Sequence, residues 1–94
     1  MGSSELSIVK RDGKREAFSV DKIKNAISKA FLAEGSYASE DDLIGILSRV
    51  RVKDGMSVED IQNQVEVALM EEHYYSSAYK VSSFGLESLL WNIP

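Results

Sequence analysis

The chain has 94 residues, no cysteine, one histidine and a formal net charge of −4, which bounds it to one small domain with a modest core. Without a thiol it holds no disulfide framework, thiolate zinc site, catalytic cysteine or redox pair, and His73 alone cannot supply a metal site built from several imidazoles. The acidic balance disfavours a nucleic-acid module, and the apolar and charged fractions, 44% and 28%, are those of an ordinary globular protein rather than a disordered one.

Met1-Gly2-Ser3-Ser4 is polar, and residues 1–5 are expected to form a disordered leader or a remnant of expression. Leu6 to Arg11 sets Leu6, Ile8 and Lys10 against Ser7, Val9 and Arg11, the alternation of a half-buried strand. Asp12-Gly13 signals a two-residue hairpin, since glycine tolerates the positive φ of a type I′ turn, and Arg15 to Phe18 returns as the second strand. Ser19 is a suitable N-cap and Asp21 complements the dipole of the helix that follows. Ile23, Ala26, Ile27, Ala30 and Phe31 give that helix one apolar face, and Gly35 ends it. Ser39-Glu40-Asp41-Asp42 opens a second helix with capping-box spacing, continued by Leu43, Ile44, Ile46, Leu47 and Val50.

Lys53-Asp54-Gly55 breaks the pattern, and Met56-Ser57-Val58 suits a short third strand. Ser57 and Asp60 repeat the capping-box spacing ahead of a third helix with Ile61, Val65, Ala68 and Leu69 as its buried stripe. A fourth helix is expected from Tyr74 onward, with Tyr75, Ala78, Tyr79 and Val81 as core residues and its serines and Gly85 lowering its propensity. Leu86, Leu89, Leu90 and Trp91 then form an apolar cluster that needs a cover. The expected architecture is α+β: a small three-stranded sheet, made of the N-terminal hairpin and a short third strand, capping a four-helix bundle. Residues 86–94 are expected to be an apolar extension leading into a longer parent protein. No apolar run approaches the roughly 20 residues that cross a bilayer, and no signal-peptide pattern opens the chain, so a cytoplasmic location is expected.

The charges are unevenly spread. Lys10, Arg11, Lys14, Arg15, Lys22, Lys24 and Lys29 lie in the first third, and acidic residues dominate later, so a local basic patch on an acidic domain suits a small polyanion. A strand, a basic pair, a turn, a strand and a helix start follow one another closely, which is a way to build a place for phosphates. Arg11 offers a planar fork and Lys10 a point charge. The same residues are also ordinary turn composition, and a solvated hairpin tip accounts for them as well. Catalysis is not expected: there is no Gly-x-Ser-x-Gly, no phosphate-binding Gly-x-x-x-x-Gly-Lys loop and no Gly-x-Gly-x-x-Gly. Capping explains the carboxylates, and His73 is expected at an exposed helix end.

Taken together, Ile8, Lys10-Arg11-Asp12-Gly13, Glu16 and Lys22-Ile23, then Ser57-Val58-Glu59-Asp60-Ile61-Gln62 and Val65 to Met70, resemble the ATP-cone, a regulatory nucleotide-binding domain found mostly in ribonucleotide reductases. The likeness runs over about residues 6 to 81, within an expected domain of 6–85. It implies that Lys10 and Arg11 hold a triphosphate, that Glu16 and Ser19 face the adenine edge, and that Lys22 lies beside the sugar and phosphates. Ile8, Ile23, Val58 and Gln62 would line the pocket. Core packing is an equal account of Ile8, Ile23 and Val58, as a surface ion pair is of Glu16 and Lys22.

The implied ligand is ATP or dATP, with Mg2+ as an accompanying ion. The implied role is allosteric: ATP turns a ribonucleotide reductase on, dATP turns it off, and oligomeric state changes between them. The implied partners are adenine nucleotides, the remainder of the reductase and its partner subunit, with neither DNA nor membrane. Two departures stand out. The last helix usually carries an aromatic–arginine pair or other cations, whereas Phe84-Gly85-Leu86-Glu87 has none, and Ser19 stands where aspartate or asparagine is usual. Lys80 is a candidate replacement cation. A degenerate cone that assembles through exposed Leu86, Leu89, Leu90 and Trp91, without nucleotide, is an alternative. The effector domain of a nucleotide-sensing repressor is a third reading, disfavoured because no cysteine zinc ribbon precedes the cone.

Overall fold

The order of elements follows from where the chain can be capped and where it must turn. The computed structural model describes residues 6–91, so the expected leader and the last three residues of the expected extension lie outside the described residues. Strands β1 (Leu6–Val9), β2 (Arg15–Phe18) and β3 (Met56–Ser57) form one mixed sheet in the order β2-β1-β3. The helices are α1 (Val20–Ala33), α2 (Glu40–Leu47), α3 (Val58–Glu71), α4 (Tyr75–Phe84) and α5 (Leu86–Trp91). The α+β architecture with a three-stranded sheet is as expected. Among the described residues there are five helices rather than four, because the apolar cluster after Gly85 forms a short helix of its own. None of them is long and apolar enough to cross a membrane.

β1 and β2 pair antiparallel from Leu6↔Phe18 to Val9↔Arg15, while β1 and β3 pair parallel, Ile8↔Met56 and Val9↔Ser57. The turn between β1 and β2 differs from the expected two-residue type. Lys10 N–H donates to the Lys14 carbonyl at 2.8 Å and Gly13 N–H to the Lys10 carbonyl at 2.9 Å. Gly13 has φ +88°, whereas Asp12 is not among the residues with positive φ. The loop is therefore three residues long, a type I turn at Arg11-Asp12 with glycine in the bulge position, and the left-handed twist falls on Gly13 alone.

One face of each helix supplies the core. Ile23, Ala26, Ile27, Ala30 and Phe31 of α1 and Ile61, Val65, Ala68 and Leu69 of α3 are buried, as their spacing predicts. Phe18 and Ile8 close this core from the sheet. Two helices depart from expectation: α2 stops at Leu47 with Ile44 exposed, and α4 exposes Tyr75 and Tyr79 while burying Ala78 and Val81. Both helices are short and pack along a narrow stripe, so flanking apolar residues stay outside. Leu86, Leu89 and Leu90 are buried as well, and α5 packs against α1, α3 and α4. Their cover is the domain itself, which removes the exposed surface on which the assembly-module alternative relied.

The caps hold locally in different ways. Ser39 and Asp42 form a reciprocal capping box, with Asp42 N–H donating to Ser39 Oγ at 3.2 Å and Ser39 N–H to Asp42 Oδ2 at 3.1 Å. Ser57 Oγ accepts from Asp60 N–H at 3.1 Å, so one serine ends β3 and caps α3. Ser19 has extended backbone at the start of α1, but its side chain makes no capping bond. α3 ends with Tyr74 N–H donating to the Leu69 carbonyl and His73 N–H to the Met70 carbonyl, a Schellman closure with His73 at φ +68°. A non-glycine side chain there costs about 1 kcal/mol or more.

Two stability measurements follow from these ends. His73→Gly should raise the melting temperature by several degrees, on the order of 4–8 °C for each kcal/mol in a domain of this size; an unchanged or lower value would show that the imidazole, stacked on Tyr75 at 5.8 Å, contributes more than the strain. The Ser39 backbone and hydroxyl bonds, then the Tyr74 hydroxyl bond, hold the Asp42 carboxyl below its ordinary value. A carboxylate depressed in the folded state stabilises above its unfolded pKa of about 3.9, and that stability is lost as pH falls through the lower folded value. The melting difference between the parent chain and Asp42→Asn should accordingly be full near neutrality and shrink below pH about 4; a constant difference would contradict it.

Candidate functional site

The parallel pairing of β3 decides what lies beside the basic turn. Ser57 pairs with Val9 at the turn end of the sheet, whereas Phe18, just before α1, pairs with Leu6 at the other end. The helix start next to Arg11 is thus that of α3, while the first turn of α1 contributes Lys22. The α3 start brings its own acid: Arg11 Nε donates to Glu59 Oε2 at 3.1 Å. The two side chains are 64% and 62% exposed, so the pair contributes at most about 1 kcal/mol and yields readily to a competing anion. The Arg11 backbone N–H donates to Glu87 Oε1 of α5 at 3.0 Å.

Lys10 and Lys22, both half-buried, converge on one ring. Their Nζ atoms lie 5.0 and 5.6 Å from the ring centroid of Trp91, the last described residue of α5. Among the described residues neither lysine has a carboxylate within ion-pairing distance. The surface ion pair between Glu16 and Lys22 is therefore not formed. The Trp91 indole Nε1 is buried and finds no hydrogen-bond partner among the described residues. Two ammonium groups held together, with no carboxylate within ion-pairing distance among the described residues, form an environment that favours an anion.

The other expected residues fall into two groups. Ile8, Ile23 and Val58 are 0%, 0% and 2% exposed; they are core residues and offer no surface to a ligand in this state. Gln62 spends its amide on α5 and its own helix: Oε1 accepts from Leu86 N–H at 2.8 Å and Nε2 donates to Glu66 at 2.8 Å. Glu16, opposite Ile8, and Ser19, just past the Leu6–Phe18 pair, are half-buried, and among the described residues their side chains make no hydrogen bond. Lys80 is not brought to the cluster. It lines a recess with Ala33, Glu34, Tyr75, Ser76 and Tyr79, at the C-terminal end of α1. Its Nζ lies 5.6 Å from the ring centroid of Phe84, the last residue of α4.

Sequence reasoning missed Glu59, Glu87 and Trp91. The first was in view only as a helix-start acid. For the other two a signal existed: Glu87 and Trp91 are four apart and so share one face of a helix, opposite Leu86, Leu89 and Leu90. Gly85 makes that helix separate from α4, its φ of +83° and ψ of 137° redirecting the chain where a side chain would be strained. α5 is then tied down at its carbonyl end as well, with Lys29 Nζ donating to the Leu89 carbonyl at 3.1 Å.

The arrangement can bind and reposition. Among the described residues no group of three or more His, Cys, Asp or Glu stands ready for a metal. Comparison with known families gives one match: the ATP cone domain family covers residues 6–84. Comparison with curated protein sequences finds no match. The chain belongs to the ATP-cone family, whose domains are nucleotide-binding regulators rather than catalysts.

Proposed function

As an ATP-cone domain, we propose, this chain binds ATP or dATP with the phosphates at the basic turn and the base toward Glu16 and Ser19. The observation that carries the reading is the pair of half-buried lysines, Lys10 and Lys22, that converge without a carboxylate partner among the described residues. Arg11 joins them once its exposed pair with Glu59 is exchanged for phosphate oxygens, which an arginine fork meets in bidentate fashion. Glu16 pairs with Ile8, one residue from the Val9–Arg15 pair, and Ser19 follows Phe18, about 10 Å or more along the ladder from the turn. A carboxylate at Glu16 accepts a bond from an exocyclic amine, which adenine presents. Mg2+ would ride on the phosphate oxygens, since magnesium keeps most of its water and needs few protein ligands.

The regulatory side of the proposal is finer. The domain would set the overall activity of a cytoplasmic ribonucleotide reductase, with ATP permissive and dATP suppressive, through a change of oligomeric state. Residues 6–85 would be the cone and 86–94 the passage into the rest of the parent protein. ATP and dATP differ by one hydroxyl, and either shifts an assembly only by binding its two arrangements with different affinity.

Calorimetric titration of the chain with ATP, dATP and GTP tests the binding. Adenine nucleotides should bind and GTP should bind more weakly; silence with ATP at millimolar concentration would rule the reading out. Replacing both Lys10 and Arg11 with alanine should weaken ATP binding by about a hundredfold or more, since charged hydrogen bonds contribute about 1.5–3 kcal/mol each. The melting temperature should change little, because neither side chain is in the core. The corresponding Lys14 and Arg15 double variant should lose far less; equal losses would mean a diffuse basic patch. Affinity should also fall as salt rises.

A further inference from the structure

The groups proposed to hold phosphates are already engaged, and mostly by one short helix. α5 places the Trp91 ring against the ammonium groups of Lys10 and Lys22 and the Glu87 carboxylate on the Arg11 backbone N–H. Its first N–H is bound by Gln62, another residue expected in the pocket. An aromatic π-face and a carboxylate are the two side-chain groups that attract the cations and N–H donors a phosphate would use. None of this belongs to the family pattern, which matches only up to residue 84.

We propose that α5 is a pseudo-ligand: Trp91 and Glu87 occupy the phosphate-binding groups of the empty domain, and nucleotide binds in exchange for α5. This rests on the nucleotide-binding reading above and adds a competitor to it. A lysine ammonium turned toward phosphate oxygens leaves the ring face, and a phosphate at the turn displaces Glu87 by like-charge repulsion. The buried Nε1 of Trp91, without a partner among the described residues, makes the docked position easier to leave, because undocking returns that N–H to water. The hinge is Gly85, whose backbone conformation is open to glycine without strain. Coupling is reciprocal: whatever holds α5 down weakens nucleotide binding, and nucleotide loosens α5 by the same factor.

Trp91 is the sole tryptophan of the chain, so its fluorescence reports on α5 directly. Titrating the 94-residue chain with ATP should shift the emission to longer wavelength and raise acrylamide quenching, with a midpoint matching the calorimetric affinity. Inorganic tripolyphosphate should produce the same shift, and adenosine, which has no phosphates, should not. Trp91→Ala should bind ATP more tightly, by about fivefold or more, as expected for release of two cation–π contacts. Glu87→Ala, which leaves the apolar face of α5 untouched, should tighten binding too and carries the comparison if the tryptophan variant does not fold.

Calorimetric binding of ATP with unchanged Trp91 emission and quenching would overturn the proposal while leaving nucleotide binding intact. Weaker ATP binding by Trp91→Ala would also overturn it, marking the ring as a platform for the base. Failure of the parent chain and both variants to bind ATP would remove the nucleotide reading itself, and this inference with it.

Discussion

β1 is the strand on which the site side of the domain depends. It is central in a three-stranded sheet: all four of its residues pair with β2, Ile8 and Val9 pair with β3 as well, and Ile8 is fully buried between Glu16 and Met56. The antiparallel edge fixes where the basic turn lies. The parallel edge fixes where α3 begins, because Ser57 both ends β3 and caps α3. A one-residue slip of β1 would turn Ile8 outward and move the basic turn away from Glu59 together. Hydrophobic burial and the positioning of charge are therefore set by a single register.

Much of this was legible locally. The stripes of α1 and α3 were readable because their apolar residues recur at helical spacing and each helix is long enough to show the period. The hairpin was readable from Asp12-Gly13, although the loop takes one residue more than the dipeptide suggests, since only Gly13 adopts the left-handed conformation. What could not be read was anything fixed by pairing across long separations. Nothing in Met56-Ser57 announces that it runs parallel to β1, and that orientation alone gives Arg11 its neighbour on α3. For the same reason the expected pocket residues split: Ile8, Ile23 and Val58 belong to the interior, while Lys10, Arg11 and Lys22 face groups that no local pattern would pair with them.

The family resemblance assigns its cations to the hairpin and first helix, and α5 lies beyond the matched segment. That helix reconciles two facts that seemed opposed, an apolar cluster needing cover and a missing C-terminal cation. The leucines turn inward and are covered, and the polar face that remains carries Glu87 and Trp91 toward the basic groups. An anionic and aromatic face thus stands where the resemblance implies positive charge. The balance at the turn is set by the domain's own carboxylates, Glu59 and Glu87, rather than by solvent alone.

The reach of these contacts along the chain also bears on how the domain forms. Ser7 and Asp54, which bond across the sheet, are 47 residues apart, and Arg11 and Glu87 are 76 apart. Loop closure over such distances must precede any reward from the contacts, so pairings of this kind form late in folding, after helices whose contacts are local. The basic cluster is consequently expected among the last parts to assemble. A sub-global opening in which α5 and the two-residue β3 detach while α1 and α3 stay packed would reach this cluster first. Amide exchange would then be expected to sort the domain into a slow helical interior and a faster sheet-and-α5 layer, with occupancy of the cluster written into the second layer alone.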